Sequence, residues 1–343
     1  MKAVILNAPG EVALKEVEMP RNAPGEMLLR VQYVGFCGSD LSSYLGKNPM
    51  VKYPRVPGHE ISAVIAGVGE EVPDDYSTGE HVTVVPYTTC GKCPACRRGR
   101  SNACRDNQTL GVQRDGAMQE YISVSWQKVL KAPGLTGPAL AMVEPLTVGF
   151  HAIRRGRVKG SDLVMVLGCG MIGAGAVAGA ALREATVVAV DIDDTKLETA
   201  RILGAHYTIN PVDSDLHQEL ERITGGDGPD VVVEAAGNPL TYRSAVEEVA
   251  FTGRVVCIGY TGSEVSLATG LFVQKEMDIM GSRNAEPIDF REVISYLEHG
   301  DFPFDRMITR QVEPENAAAA LEQWAADPGK TMKILVDFKP INQ

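Results

Sequence analysis

The chain reads as an α/β protein of two domains, a β-rich, barrel-like half followed by a doubly wound parallel sheet. Three observations predict this. At 343 residues it is too long for one ordinary hydrophobic core. Up to about residue 140 short apolar runs are punctuated by glycine and proline. After Pro145 such runs alternate with alanine-rich helical stretches, the signature of βαβ units.

Taken in order, VILNAPG, MLLRVQYVGFCG, ISAVIAGVG, HVTVVPY and MQEYISVS are the strands of the first half. LVMVLG then opens the second half. It is followed by a helix in GMIGAGAVAGAALREA, a strand TVVAVD, a helix DTKLETARILG, and the strands VVVEAAG and VVCIG. The segment PENAAAALEQWAADPGKTMKILVDF reads as one helix and a last strand, and pattern alone leaves open which domain that strand joins.

Composition narrows the function. Apolar residues make up 44%, and the formal net charge is −11, which argues against a nucleic-acid partner because polyphosphate binding wants a basic face. The longest apolar run is broken by Arg183 and Glu184, so no membrane span is expected. MKAVILNAPG is a strand-like run and a turn rather than a secretory leader. The expected compartment is the reducing cytoplasm, where cysteines serve as thiolate ligands and small core residues.

Four of the seven cysteines, Cys90, Cys93, Cys96 and Cys104, fall in CGKCPACRRGRSNAC. This C-x2-C-x2-C-x7-C spacing can close a tetrahedral thiolate cage on a structural zinc, with the intervening lysine and arginines offsetting its charge. Disulfides fit poorly with a reducing compartment, and an iron–sulfur cluster is the other alternative that closely spaced cysteines leave open.

Gly168, Gly170 and Gly173 form G-x-G-x-x-G, with Ile172 inside the motif, directly after a strand and at the head of a helix. The first glycine permits the turn, the second admits a pyrophosphate and the third lets helix pack on strand, placing the pyrophosphate at the positive helix end. Asp191 ends the next strand, where it can accept hydrogen bonds from an adenosine ribose and would repel a 2′-phosphate; with Ile192 after it, NAD is expected over NADP.

Hydride removal from an alcohol needs the developing negative oxygen stabilised, which directs attention to a second metal. Cys37, His59, Glu60 and Glu144 supply a thiolate, an imidazole and carboxylates, a suitable set for zinc with an open position.

The runs GFCGSD, YPRVPGHE, the four-cysteine lobe, VEPLTVGFHAIRRG, GCGMIG and MGSRNAEP resemble the zinc-dependent medium-chain alcohol dehydrogenase superfamily, within it the branch of sorbitol and L-galactonate 5-dehydrogenases. The resemblance covers nearly the whole chain. It implies a GroES-like zinc-binding catalytic domain over 1–145, a Rossmann NAD-binding domain over 146–287, and a C-terminal return to the catalytic domain over 288–343. It further implies two zinc ions per subunit and a homodimer or homotetramer.

By the same resemblance Cys37 and His59 bind the catalytic zinc, with Glu60 or Glu144 completing the shell. Asp40 orients the histidine, and Ser39 carries away the alcohol proton. Ser42 stands where relatives often keep a relay histidine. Lys196 lies beside the adenosine ribose. Arg283, in the Ser282–Arg283–Asn284 run, meets substrate or cofactor. The expected substrate is a polyol or sugar acid oxidised at a secondary hydroxyl; the rivals are oxidation of an amino alcohol such as L-threonine and a catalytically silent relative.

Overall fold

The computed structural model describes residues 1–339. The chain divides into two compact units, Met1–Glu144 together with the chain from Phe290 onward, and Pro145–Asp289. The boundaries read from the sequence lie at 145/146 and 287/288.

The first unit is built on a seven-stranded sheet. Its order is Ile308–Val312, Lys333–Asp337, Glu26–Phe36, Glu60–Val68, His81–Val84 and Val129–Lys131, with Tyr121–Ser125 also paired to Glu26–Phe36. The last strand, which pattern could not assign, runs antiparallel to Glu26–Phe36, with Ile334 opposite Phe36. HVTVVPY, read as one strand, is two: His81–Val84 and Tyr87–Thr88. The break falls at Pro86, whose nitrogen has no proton for a ladder. Leu29, Phe36, Ile61, Ile65, Met118 and Val336 are among the buried core residues, each side chain contributing about 2 kcal/mol.

The long strand Glu26–Phe36 ends at Cys37, which caps the short helix Gly38–Tyr44. Its neighbour Glu60–Val68 begins one residue after His59, with Glu60 opposite Gly35. Pairing two strand ends in this register brings Cys37 to His59 and Glu60 although a short helix and a loop separate them in the chain.

The second unit is a six-stranded, all-parallel sheet. Its order is Tyr207–Ile209, Thr186–Val190, Leu163–Leu167, Val231–Glu234, Arg254–Cys257 and Asp278–Gly281. Met165, Leu167, Val188, Val190, Val232 and Val255 are among its core residues, drawn from the near-continuous apolar runs that sheets covered on both faces require. Neighbouring strands reverse direction of progression on either side of Leu163–Leu167, which creates a crevice at the carboxyl ends of Leu163–Leu167 and Val231–Glu234. The helix expected across GMIGAGAVAGAALREA spans Met171–Ala181 only.

Candidate active site and cofactor site

In the first unit, ligand atoms of Cys37, His59 and Glu60 all lie within 4.8 Å of one another. His59, Glu60 and Glu144 are buried, as is Asp40. Cys37 is fixed at the helix start by its own N–H, which donates to Asp40 Oδ2 at 2.9 Å. Glu144 accepts from the Tyr87 hydroxyl, whose proton is retained because burial, and then the Glu144 charge, push its pKa well above the usual value.

The electrostatics ask for a cation. Burial favours neutral His59, but Cys37, and after it Asp40 and Glu144, outweigh burial and raise its pKa well above the ordinary histidine value. Burial raises the pKa of Asp40 and of Glu144, with the Glu60 charge a further cause in each. His59 Nδ1 and Asp40 Oδ1 are buried with no hydrogen-bond partner among the described residues, and so is Ser39 Oγ. A thiolate, an imidazole and a carboxylate around one point match zinc chemistry, so these residues could hold that ion.

One contact was not foreseen. Lys333, on the last strand, is buried and places Nζ 2.5 Å from Glu60 Oε1 and 2.6 Å from Oε2, with a third bond of 3.0 Å to Phe36 O. Both Glu60 oxygens are thus engaged by an ammonium, while Glu144 answers to Tyr87. A lone lysine opening the apolar run KILVDF was the only hint in the sequence.

The four-cysteine lobe is preformed. All four thiols are free, with sulfurs 3.5 Å apart for Cys93–Cys96, 3.6 Å for Cys90–Cys104 and 3.9 Å for Cys93–Cys104. A disulfide would need about 2 Å. A tetrahedral zinc with bonds of about 2.3 Å sets its sulfurs about 3.8 Å apart, so this cage fits a single zinc and is too tight for a multi-iron cluster. Backbone N–H groups of Cys96 and Arg105 help push the Cys93 thiol down to about 6, toward the thiolate that metals bind.

In the second unit the glycine loop has the required clearances. Gly168 has φ +90°, and a Cβ there would lie 2.9 Å from Ala236 N; one on Gly173 would fall 1.8 Å from Gly168 O. Above Gly170, by contrast, nothing lies within 4 Å, which leaves its backbone open at the N-terminus of Met171–Ala181. Ile172 lies in the first turn of that helix, half-buried. Asp191 accepts from Cys169 N at 2.7 Å and Asp193 N at 3.0 Å, tying the acidic residue to the same loop. Lys196 sits in the first turn of Asp194–Ile202, close enough to Cys169 to act on its thiol. Arg283 follows Asp278–Gly281 at the carboxyl end of the sheet and is half-buried.

A third cluster, His151, Glu286 and Asp289, is already filled. Arg154 Nε donates to Asp289 Oδ1 at 2.7 Å, and its Nη2 pairs with Glu286, so the cation there is a guanidinium.

Comparison with known proteins adds the following. Residues 23–134 match the alcohol dehydrogenase GroES-like domain family, and residues 172–299 the zinc-binding dehydrogenase family. The L-galactonate-5-dehydrogenase of Escherichia coli is 33% identical over 98% of this chain and 99% of its own. The sorbitol dehydrogenase of Bacillus subtilis is 33% identical over 98% of this chain and 97% of its own. Among solved structures, an E. coli protein described as a short chain alcohol dehydrogenase, crystallised with NADH, superposes with a TM-score of 0.90. It is 30% identical, and the match covers 98% of this chain and 99% of that one. Among the described residues no helix is long and apolar enough to cross a membrane.

Proposed function

Because the chain belongs to the zinc-type alcohol dehydrogenase family, we propose that it oxidises a secondary hydroxyl of a polyol or sugar acid, L-galactonate-like, to the keto product with NAD as hydride acceptor. The observation that carries this reading is the convergence of Cys37, His59 and Glu60 on one buried point, two residues away from a buried, unpartnered Ser39 hydroxyl. The substrate class is supported by the relatives' own activities, on L-galactonate and on sorbitol.

A zinc ion bound there would supply the Lewis acidity that brings an alcohol proton within reach of neutral pH, and NAD bound in the second unit would supply the hydride acceptor. Cys37 and His59 would hold the ion, with Glu60 or Glu144 as the carboxylate. Asp40 fixes the Cys37 turn through Oδ2 and keeps Oδ1 for the His59 ring. Ser39 Oγ receives the alcohol proton and passes it outward. With serine at position 42, its onward path is water or the hydroxyls of the cofactor ribose rather than an imidazole. Gly168, Gly170, Ile172, Gly173, Asp191 and Lys196 bind the dinucleotide, and Arg283 faces substrate or nicotinamide. The second zinc is structural, in the Cys90, Cys93, Cys96 and Cys104 cage. We place the enzyme in the cytoplasm, as a dimer or tetramer.

The test is NADH formation by zinc-loaded protein on hexonates, hexitols, pentitols and L-threonine, with NADP in parallel. Turnover of one sugar acid or polyol with NAD, abolished by chelation, is expected. Turnover of L-threonine alone would move the activity to amino alcohols, and zinc-loaded protein that binds NAD yet turns over nothing in the panel would favour a silent relative.

A further inference from the structure

Glu234 ends the strand Val231–Glu234, beside the crevice of the parallel sheet, and is fully buried. Its Oε1 accepts from Ala236 N at 3.1 Å, Gly237 N at 2.8 Å and Thr241 Oγ1 at 2.7 Å. Its Oε2 is buried with no hydrogen-bond partner among the described residues. All three donors are neutral, and they stand at the head of the helix Pro239–Glu248, whose positive end offsets part of the charge. A buried carboxylate with neutral donors and an empty second oxygen is costly to keep.

The same residue binds two loops together. Its carbonyl accepts from Ile258 N at 2.9 Å and Gly259 N at 3.0 Å. A Cβ on Gly259 would come 2.6 Å from Glu234 Oε2 and 2.3 Å from Gly237 N, so only glycine lets the loops nest over the carboxylate. Tyr242 closes the knot, its hydroxyl donating to Gly259 O at 2.6 Å. The loop after Glu234 also touches the glycine fingerprint, where a Cβ on Gly168 would meet Ala236 N at 2.9 Å.

Strand order tells which part of a dinucleotide lies here. Asp191 follows Thr186–Val190, on one side of Leu163–Leu167, and takes the adenosine ribose. A dinucleotide crosses the crevice with its pyrophosphate on the helix after Leu163–Leu167, so its nicotinamide half falls over the carboxyl ends of the strands on the other side, which begin with Glu234 and continue with Cys257 and Gly281. Oxidised nicotinamide is a cation and reduced nicotinamide is neutral.

We propose that Glu234 is a positioning residue of the cofactor site, which locks the two loops under the nicotinamide half and whose only partly compensated charge favours the oxidised over the reduced cofactor. The inference rests on the dinucleotide reading given above. It requires no contact between the carboxylate and the ring, because a charge in a buried, low-dielectric setting acts across several ångströms.

The experiment measures dissociation constants of NAD, NADH and AMP for the zinc-loaded full chain, in wild type and in Glu234→Gln. Glutamine keeps an oxygen for the three donors and removes the charge. NAD binding is expected to weaken about tenfold more than NADH binding, equivalent to about 1.4 kcal/mol, with AMP unchanged. Equal weakening of NAD and NADH, or no change in either, would overturn the proposal, since a purely structural role does not distinguish the two redox states. Should Glu234→Gln not fold, Thr241→Val serves instead: it strips one donor from the carboxylate, leaves its charge less compensated, and is expected to shift the ratio about twofold toward NAD. A ratio that stays put or moves the other way overturns the idea. Wild-type protein that binds AMP but neither dinucleotide would sink the dinucleotide reading and this inference together.

Discussion

Asp40, Glu60 and Glu144 are buried around Cys37 and His59, and the ammonium of Lys333 is held against Glu60 at 2.5 Å. Removing one partner of a buried pair leaves the other charge stranded, at a cost of about 3–5 kcal/mol. Lys333→Met should therefore lower the urea stability of metal-free protein by about 3 kcal/mol, and adding Glu60→Gln should recover most of it. A Lys333→Met protein as stable as its parent would mean the pair does not hold this centre together. Cys37, His59, Glu60 and Glu144 were each a weak signal in the sequence taken singly, and it was the resemblance carried by GFCGSD, YPRVPGHE and VEPLTVGFHAIRRG that pointed to them as one centre. Lys333 was not, since it meets Glu60 only through a strand pairing 273 residues away. Tyr87 escaped for a related reason: a tyrosine in an apolar strand looks like core until a buried carboxylate is seen to face it.

At the scale of elements, the glycine loop separates folding from binding. Gly173 has a carbonyl 1.8 Å from where its Cβ would stand, whereas Gly170 has open space. Gly173→Ala must push helix from strand, an overpacking worth about 1–3 kcal/mol, and should lower the melting temperature. Gly170→Ala should melt with the wild type and lose about tenfold in dinucleotide affinity, because its methyl would stand where a pyrophosphate approaches. Calorimetry beside a binding titration reads both, and a destabilised Gly170→Ala would refute the assignment of that space to the ligand. This element was readable because its strand, turn, helix and acidic residue are contiguous in the chain. The destination of the last strand was not, since its partner Glu26–Phe36 lies some three hundred residues earlier and period-2 patterning says only that a strand exists. Pro86 shows the opposite case: the break at 85–86 is a local rule, missed because the apolar run overrode it.

For the whole molecule, the parallel sheet ends at Asp278–Gly281, an edge that no other strand covers among the described residues. An edge strand presents unpaired N–H and C=O groups that can pair with another chain, and Ile279 on this strand is 42% exposed, while Val273 in the preceding helix is 85% exposed. Asp278 N and Ser282 N donate inward, to Gly253 O at 3.0 Å and Cys257 O at 2.8 Å. Strand alternation then turns the N–H groups of Ile279 and Gly281 outward. Two copies related by a two-fold axis can join such edges antiparallel, each giving the other the same donors, which makes a twelve-stranded sheet out of two six-stranded ones. Ile279→Pro deletes an outward donor while leaving the inward ladder intact, a setting in which an edge strand tolerates proline. Sedimentation velocity at micromolar concentration should show wild-type protein as a dimer or tetramer and Ile279→Pro as a species of half that mass, with dinucleotide affinity retained. A wild-type monomer, or a variant whose assembly is unchanged, would show that this edge is not where the copies meet. A net charge of −11 makes long-range attraction between copies unavailable, so a contact here would rest on these short-range groups, and added salt should strengthen rather than weaken such an assembly.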